Sequence, residues 1–139
     1  MMRFFRVYGL SCVVTLTILY LCIARTLPVE NVPKFEGIDK VVHFLMYVGL
    51  AGALCLDHYR QRISFSSFRM YAWAILFPVL YGGFIEIVQG AFFPPRSAEW
   101  ADWFCDVAGT LVGFFLAKLI YPKVVRQEDG VCTRLDKNK

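Results

Sequence analysis

Four long apolar runs constrain this chain more than any other feature: Phe4 to Ala24, Asp39 to Leu56, Phe68 to Gly90 and Asp102 to Tyr121. A helix that crosses the hydrocarbon of a bilayer needs about 20 mostly apolar residues. In lipid no water satisfies backbone N–H and C=O groups, so such a run must close its hydrogen bonds within itself, as a helix does. The expected fold is therefore all-α, a polytopic membrane protein with a bundle of four transmembrane helices over about residues 4–24, 39–56, 68–90 and 102–121. Composition agrees: 58% of the chain is hydrophobic, against roughly 45–50% in soluble domains.

The first run begins with Arg3 and Arg6 and ends in Cys22-Ile23-Ala24, which loosely imitates a secretory signal. Its apolar part, from Val7 to Ala24, is longer than the roughly 7–15 residues of a signal core, so a retained helix is expected. Basic residues stay on the cytoplasmic side of a membrane. One side collects Arg3, Arg6, Arg60, Arg62, Arg69, Lys118, Lys123, Arg126, Arg134, Lys137 and Lys139, and the other Arg25, Lys34, Lys40 and Arg96. This distribution predicts that both termini lie in the cytoplasm. The connections between runs are too short for a second domain, so residues 1–121 form one transmembrane domain and 122–139 a polar tail, expected to be disordered.

The net charge of +4 flanks the helices or sits in the tail, a pattern that topology and anionic lipid headgroups explain; membrane lipids are the expected partners and nucleic acid is not. Cys12, Cys22, Cys55, Cys105 and Cys132 are scattered, without CxxC spacing, so neither a disulfide framework nor a zinc motif is indicated. There is no Gly-rich phosphate loop and no nucleophile elbow, and no cofactor is expected. Within the third run Pro78 removes a helical hydrogen bond and predicts a kink, with Gly82 and Gly83 a turn later open to close approach. Gly109, Gly113 and Ala117 form a small-residue stripe on the fourth run, suited to tight helix packing. Trp100 and Trp103 suit an outer aromatic belt, and Tyr71, Trp73 and Tyr121 an inner one.

The ionisable residues of the runs are unevenly spread. Asp39, Lys40 and His43 open the second run, Glu86 and Gln89 close the third, Arg96, Ser97 and Glu99 lie between the third and fourth, and Asp102 and Asp106 open the fourth. On the deduced topology all of them gather at the outer end. Residues four apart share a helical face, so Asp39, His43 and Tyr47 form one stripe, Glu86 lies with Gln89, and Asp102 and Asp106 continue the stripe of Gly109 and Gly113. An ionised side chain at mid-membrane costs about 2.5–3.5 kcal/mol on insertion scales. Three such residues a turn inside their helices, His43, Glu86 and Asp106, imply a shared polar pocket. Asp39 and Asp102 also suit N-terminal capping, and Arg96 suits an interfacial anchor. A metal site from Asp39, His43, Glu86 and Asp106 has no HxxxH or HExxH spacing behind it, and none is expected.

Asp39-Lys40-x-x-His43-Phe44, then Glu86-x-x-Gln89, then Arg96-Ser97, then Asp102-x-x-x-Asp106-x-x-Gly109, in this order at helix ends, resemble the VanZ-like family of small bacterial membrane proteins over about residues 36–116. The family takes its name from a protein linked to low-level teicoplanin resistance, so the resemblance implies a cell-envelope role without supplying a reaction. Asp106 stands where the family often has Asn, and Glu99 where a small or hydroxylated residue is common, which makes this end more acidic.

The function expected is an outward-facing polar pocket that binds a lipid-linked envelope molecule or an antibiotic. Arg96 and Lys40 would contact anionic groups, the acids would contact amines or cations, and His43 with Glu86 would form a responsive pair. The alternatives are an intramembrane enzyme acting on a lipid-linked substrate, with His43 or Glu86 as base, and a structural subunit or homo-oligomer assembled through the Gly109 and Gly113 stripe.

Overall fold

The computed structural model describes residues 2–24, 37–92 and 99–136, with side chains over 7–22, 37–92 and 99–122. Four helical rods account for nearly all of the described residues. They are α1, Met2–Ala24; α2, Ile38–Arg60; α3, Phe68–Phe92; and α4, Trp100–Asp136. Three of them, Ile38–Arg60, Phe68–Phe92 and Trp100–Pro122, are long and apolar enough to cross a membrane, and α1 contributes a shorter apolar helix, Val7–Cys22. The chain is an all-α membrane protein.

Side-chain contacts show that successive helices alternate in direction. At one end Gln89 of α3 meets Cys22 of α1, and His43 of α2 meets Asp106 of α4. At the other end Ser11 of α1 meets Asp57 of α2, and the Tyr59 and Tyr121 rings lie 6.3 Å apart. The core between these ends is apolar, built on Tyr47, Leu50, Leu54, Met70, Ala74 and Phe114. The outward faces are also apolar: Val13, Leu45, Leu80, Phe84, Phe104 and Leu119 are all exposed. A soluble protein would not display such a surface on every helix, whereas lipid accepts it.

The tightest seam joins α2 to α4. A Cβ at Gly109 would run into the Phe44 backbone, and one at Gly113 would lie 2.5 Å from the Val48 carbonyl oxygen. The small-residue stripe is thus filled by α2 of the same chain. This is how small residues act in membrane bundles, where van der Waals packing replaces the hydrophobic effect.

Pro78 is accommodated by a π-helical turn, Ala72–Leu76, directly before it. The wider turn redirects carbonyls that the proline ring would otherwise crowd and to which proline, lacking an N–H, cannot donate. Helix α2 continues beyond Leu56 to Arg60 and stops in a Schellman motif. Arg62 takes the left-handed position (φ 60°), while Ile63 N–H donates to His58 O at 3.1 Å and Arg62 N–H to Tyr59 O at 2.8 Å. Helix α4 likewise runs past Tyr121 through Pro122 to Asp136.

Candidate functional site

The site is built where α2, α3 and α4 meet, at the end that holds the starts of α2 and α4 and the finish of α3. Gly37, with a left-handed φ of 92°, turns the chain into α2 and puts Asp39 in its first turn. One turn further in, His43 points at α4, and its Nδ1 lies 3.0 Å from Asp106 Oδ1. Both side chains are buried, at 3% and 1% exposure. The acidic partner of His43 is therefore Asp106 rather than Glu86, a correction to the sequence-based pairing. Helix periodicity places both residues inward but cannot tell which carboxylate on which neighbouring helix comes closest.

Glu86 serves a second purpose. Its Oε2 accepts a hydrogen bond from Glu99 N–H at 3.1 Å, so a carboxylate from α3 sits at the N-terminus of α4, where free N–H groups and the helix dipole favour negative charge. Glu99 O in turn accepts the N–H of Asp102 at 2.9 Å and of Trp103 at 3.3 Å, closing the first turn. His43, Glu86 and Asp106 still converge: each offers a ligand-type atom, and these atoms all lie within 4.8 Å of one another.

Above this buried layer lies a more open one. Lys40 reaches Glu99 at 3.7 Å and Asp102 at 3.9 Å, with the Lys40 and Glu99 side chains about half exposed and Asp102 fully buried. Asp39, His43 and Asp102 also bring ligand-type atoms within 4.8 Å of one another, so His43 belongs to both layers.

The glycines of α3 explain how charged groups approach its backbone. A Cβ at Gly82 would lie 2.6 Å from Asp106 Oδ2 and 3.2 Å from the Tyr47 hydroxyl; at Gly83 it would lie 3.3 Å from the Trp103 indole nitrogen. That indole donates to Val79 O at 3.0 Å. Gly82 and Gly83 therefore open one face of α3 to the carboxylate and phenol of the site and to the ring beside it. Tyr47 was legible only as a member of a stripe; its role beside Asp106 depends on the missing side chain at Gly82.

Polar satisfaction is incomplete here. Among the described residues, Glu86 Oε1, Gln89 Oε1 and the Tyr47 hydroxyl are buried without a hydrogen-bond partner. Gln89 donates from its amide nitrogen to Cys22 O at 3.1 Å, tying the end of α3 to α1. Arg96 and Ser97 lie outside the described residues.

A second buried polar group escaped the sequence reading. Asp57 and His58, at 2% and 1% exposure, lie at the opposite end of the bundle. Asp57 Oδ2 accepts both the Ser11 N–H at 3.0 Å and the Ser11 hydroxyl at 2.7 Å. This follows a break in α1 at Tyr8 (φ −112°, ψ 19°), which leaves N–H groups of the next turn needing acceptors. The His58 ring nitrogen Nδ1 lies 2.9 Å from Leu54 O, and the ring packs between Tyr8 and Trp73. The available signal was an Asp-His pair just past an apolar run, facing a lone Ser in another.

The sequence of residues 3–121 matches the family model described as VanZ/LLP1. No curated protein and no solved structure matches the chain. The match spans all four helices and both halves of the polar end, and the chain belongs to the VanZ/LLP1 family.

Proposed function

We propose that this chain works in the bacterial inner membrane with both termini in the cytoplasm, and that the end carrying His43, Glu86 and Asp106 faces outward as a polar binding site. Its ligand is a lipid-linked envelope molecule with an anionic headgroup, in a cell-envelope role of the kind associated with glycopeptide (teicoplanin-type) resistance. The orientation rests on the bias of Lys and Arg, eleven on the cytoplasmic side against four, counted over the 15 in the chain. The observation that carries the binding reading is the convergence of three buried ionisable side chains beside buried oxygens left without partners, Glu86 Oε1 and the Tyr47 hydroxyl among them. Membrane proteins retain such groups where a substrate or ion meets them. Lys40 supplies positive charge beside Glu99 for an anionic headgroup, and in the sequence Arg96 adds a second cation between the third and fourth apolar runs.

The experiment is retention of lipid by the purified protein. Full-length wild type, His43→Ala, Glu86→Gln and Arg96→Ala are reconstituted with a polyprenyl phosphate or an ordinary anionic phospholipid and read by native mass spectrometry. Wild type should keep the polyprenyl phosphate selectively, and each variant should lose that selectivity while remaining monodisperse. Equal retention by all four proteins would sink the reading.

One observation favours a second reading, catalysis on the same ligand. An imidazole held at 3.0 Å by a buried carboxylate has the arrangement of an oriented general base. Turnover of the lipid by wild type but not by His43→Ala would select it. The subunit reading is weakened because Gly109 and Gly113 already pack on Phe44 and Val48.

A further inference from the structure

The geometry points to a divalent first-row transition ion, of the Mn2+ to Zn2+ series, held by His43 Nδ1 and by the carboxylates of Glu86 and Asp106. The inference rests on reading this end as a ligand site and gives that site the charge that would face an anionic headgroup.

Three independent observations carry it. The first is distance. Ligands of one such ion lie about 2.0–2.2 Å from it, so two of them at a right angle are about 3.0 Å apart. His43 Nδ1 and Asp106 Oδ1 are 3.0 Å apart, and the Glu86 carboxylate completes a set within 4.8 Å. Two carboxylates and an imidazole suit a transition ion better than Mg2+ or Ca2+, which take oxygen ligands alone.

The second is charge. Glu86 and Asp106 are 5% and 1% exposed, and among the described residues no Lys or Arg contacts either of them; Lys40 is engaged by Glu99 and Asp102. His43 can offset the charge of only one of these two buried carboxylates, and a doubly charged ion bound directly to both balances the pair.

The third is the unpartnered oxygens. Glu86 Oε1 faces no donor among the described residues although its carboxylate is more than nine-tenths buried. The Tyr47 hydroxyl, 1% exposed and also without a partner, lies against the same point of α3 as Asp106 Oδ2. An ion gives the first oxygen a bond and gives the phenol a metal-bound water to meet.

The test uses the full chain in detergent, stripped with a chelator and then offered Zn2+, Mn2+, Mg2+ or Ca2+. Bound metal is counted by plasma mass spectrometry after desalting. Wild type should keep one Zn2+ or Mn2+ per chain and neither Mg2+ nor Ca2+. His43→Ala, Glu86→Gln and Asp106→Asn should each weaken binding by more than the roughly 10- to 100-fold that loss of an outer-shell partner produces. Lys118→Ala, at the far end of α4, should bind as wild type does. Should the site variants fail to fold, Co2+-loaded wild type is decisive: visible absorption bands and an imidazole nitrogen coupling assign the ligands. Monodisperse wild type that takes up no ion, or takes it up equally in all variants, overturns the proposal. If lipid retention still depends on His43 and Glu86 while no metal binds, the metal inference alone falls. If metal binds while no lipid is selected, only the lipid reading falls.

Discussion

The two ends of this bundle bury similar groups and treat them in opposite ways. Near the start of α1, Asp57 is matched among the described residues by Ser11, which donates twice to one carboxylate oxygen. Near the starts of α2 and α4, His43, Glu86 and Asp106 share one small volume, and polar oxygens around them are left without partners. The first arrangement repairs a break in a helix. The second leaves polar capacity in reserve, and the proposed binding role rests on that. A buried acid is therefore informative only once its partners are counted.

Four substitutions would break or sharpen this contrast. The largest effect is expected from Gly109→Val, since its side chain meets the backbone of Phe44, which has no room to move away. It should cost more than the roughly 1–3 kcal/mol usual for overpacking, read as loss of monodisperse protein on size exclusion. Asp57→Ala removes two hydrogen bonds to a buried carboxylate and strands the Ser11 N–H. It should lower stability by about 2–4 kcal/mol, visible as a lower thermal midpoint in detergent, with ligand retention at the other end unchanged. Tyr121→Phe loses the hydroxyl that donates to Gly52 O at 2.9 Å, and a drop of about 1 kcal/mol is expected.

Tyr47→Phe is the smallest and sharpest. Its hydroxyl has no partner among the described residues, so its removal should leave the thermal midpoint of the ligand-free protein unchanged or slightly higher while weakening retention of the bound ligand. A midpoint that fell as far as that of Tyr121→Phe would mean that Tyr47 is structural and the contrast mistaken.

Much of the architecture was legible because lipid imposes a simple rule on apolar runs. The runs from Phe68 and Asp102 begin within two residues of α3 and α4. The inward stripe of His43, Glu86, Asp106 and Gly109 was readable for the same reason, as spacing alone assigns a helical face. What spacing cannot supply is the partner across helices. The pairing of His43 with Asp106 and the use of Glu86 at the start of α4 depend on the rotation of three helices about one another. Asp57 and His58 were passed over because polar residues after Leu56 look like the end of a span; only the broken turn at Tyr8 shows why α2 continues through them. Beside Pro78, where spacing predicts a kink, the chain takes a π-helical turn over Ala72–Leu76 that keeps Ala74 in the core, a local widening that periodicity does not encode.

The bond between Ser11 and Asp57 also carries a consequence in time. The acceptor that completes α1 lies 46 positions later in the chain. During synthesis Ser11 is made 46 residues before Asp57, so its mended turn must wait for the second span to be made and to settle beside it. Assembly of this bundle is thereby ordered, with α2 acting as the template on which α1 takes its final shape.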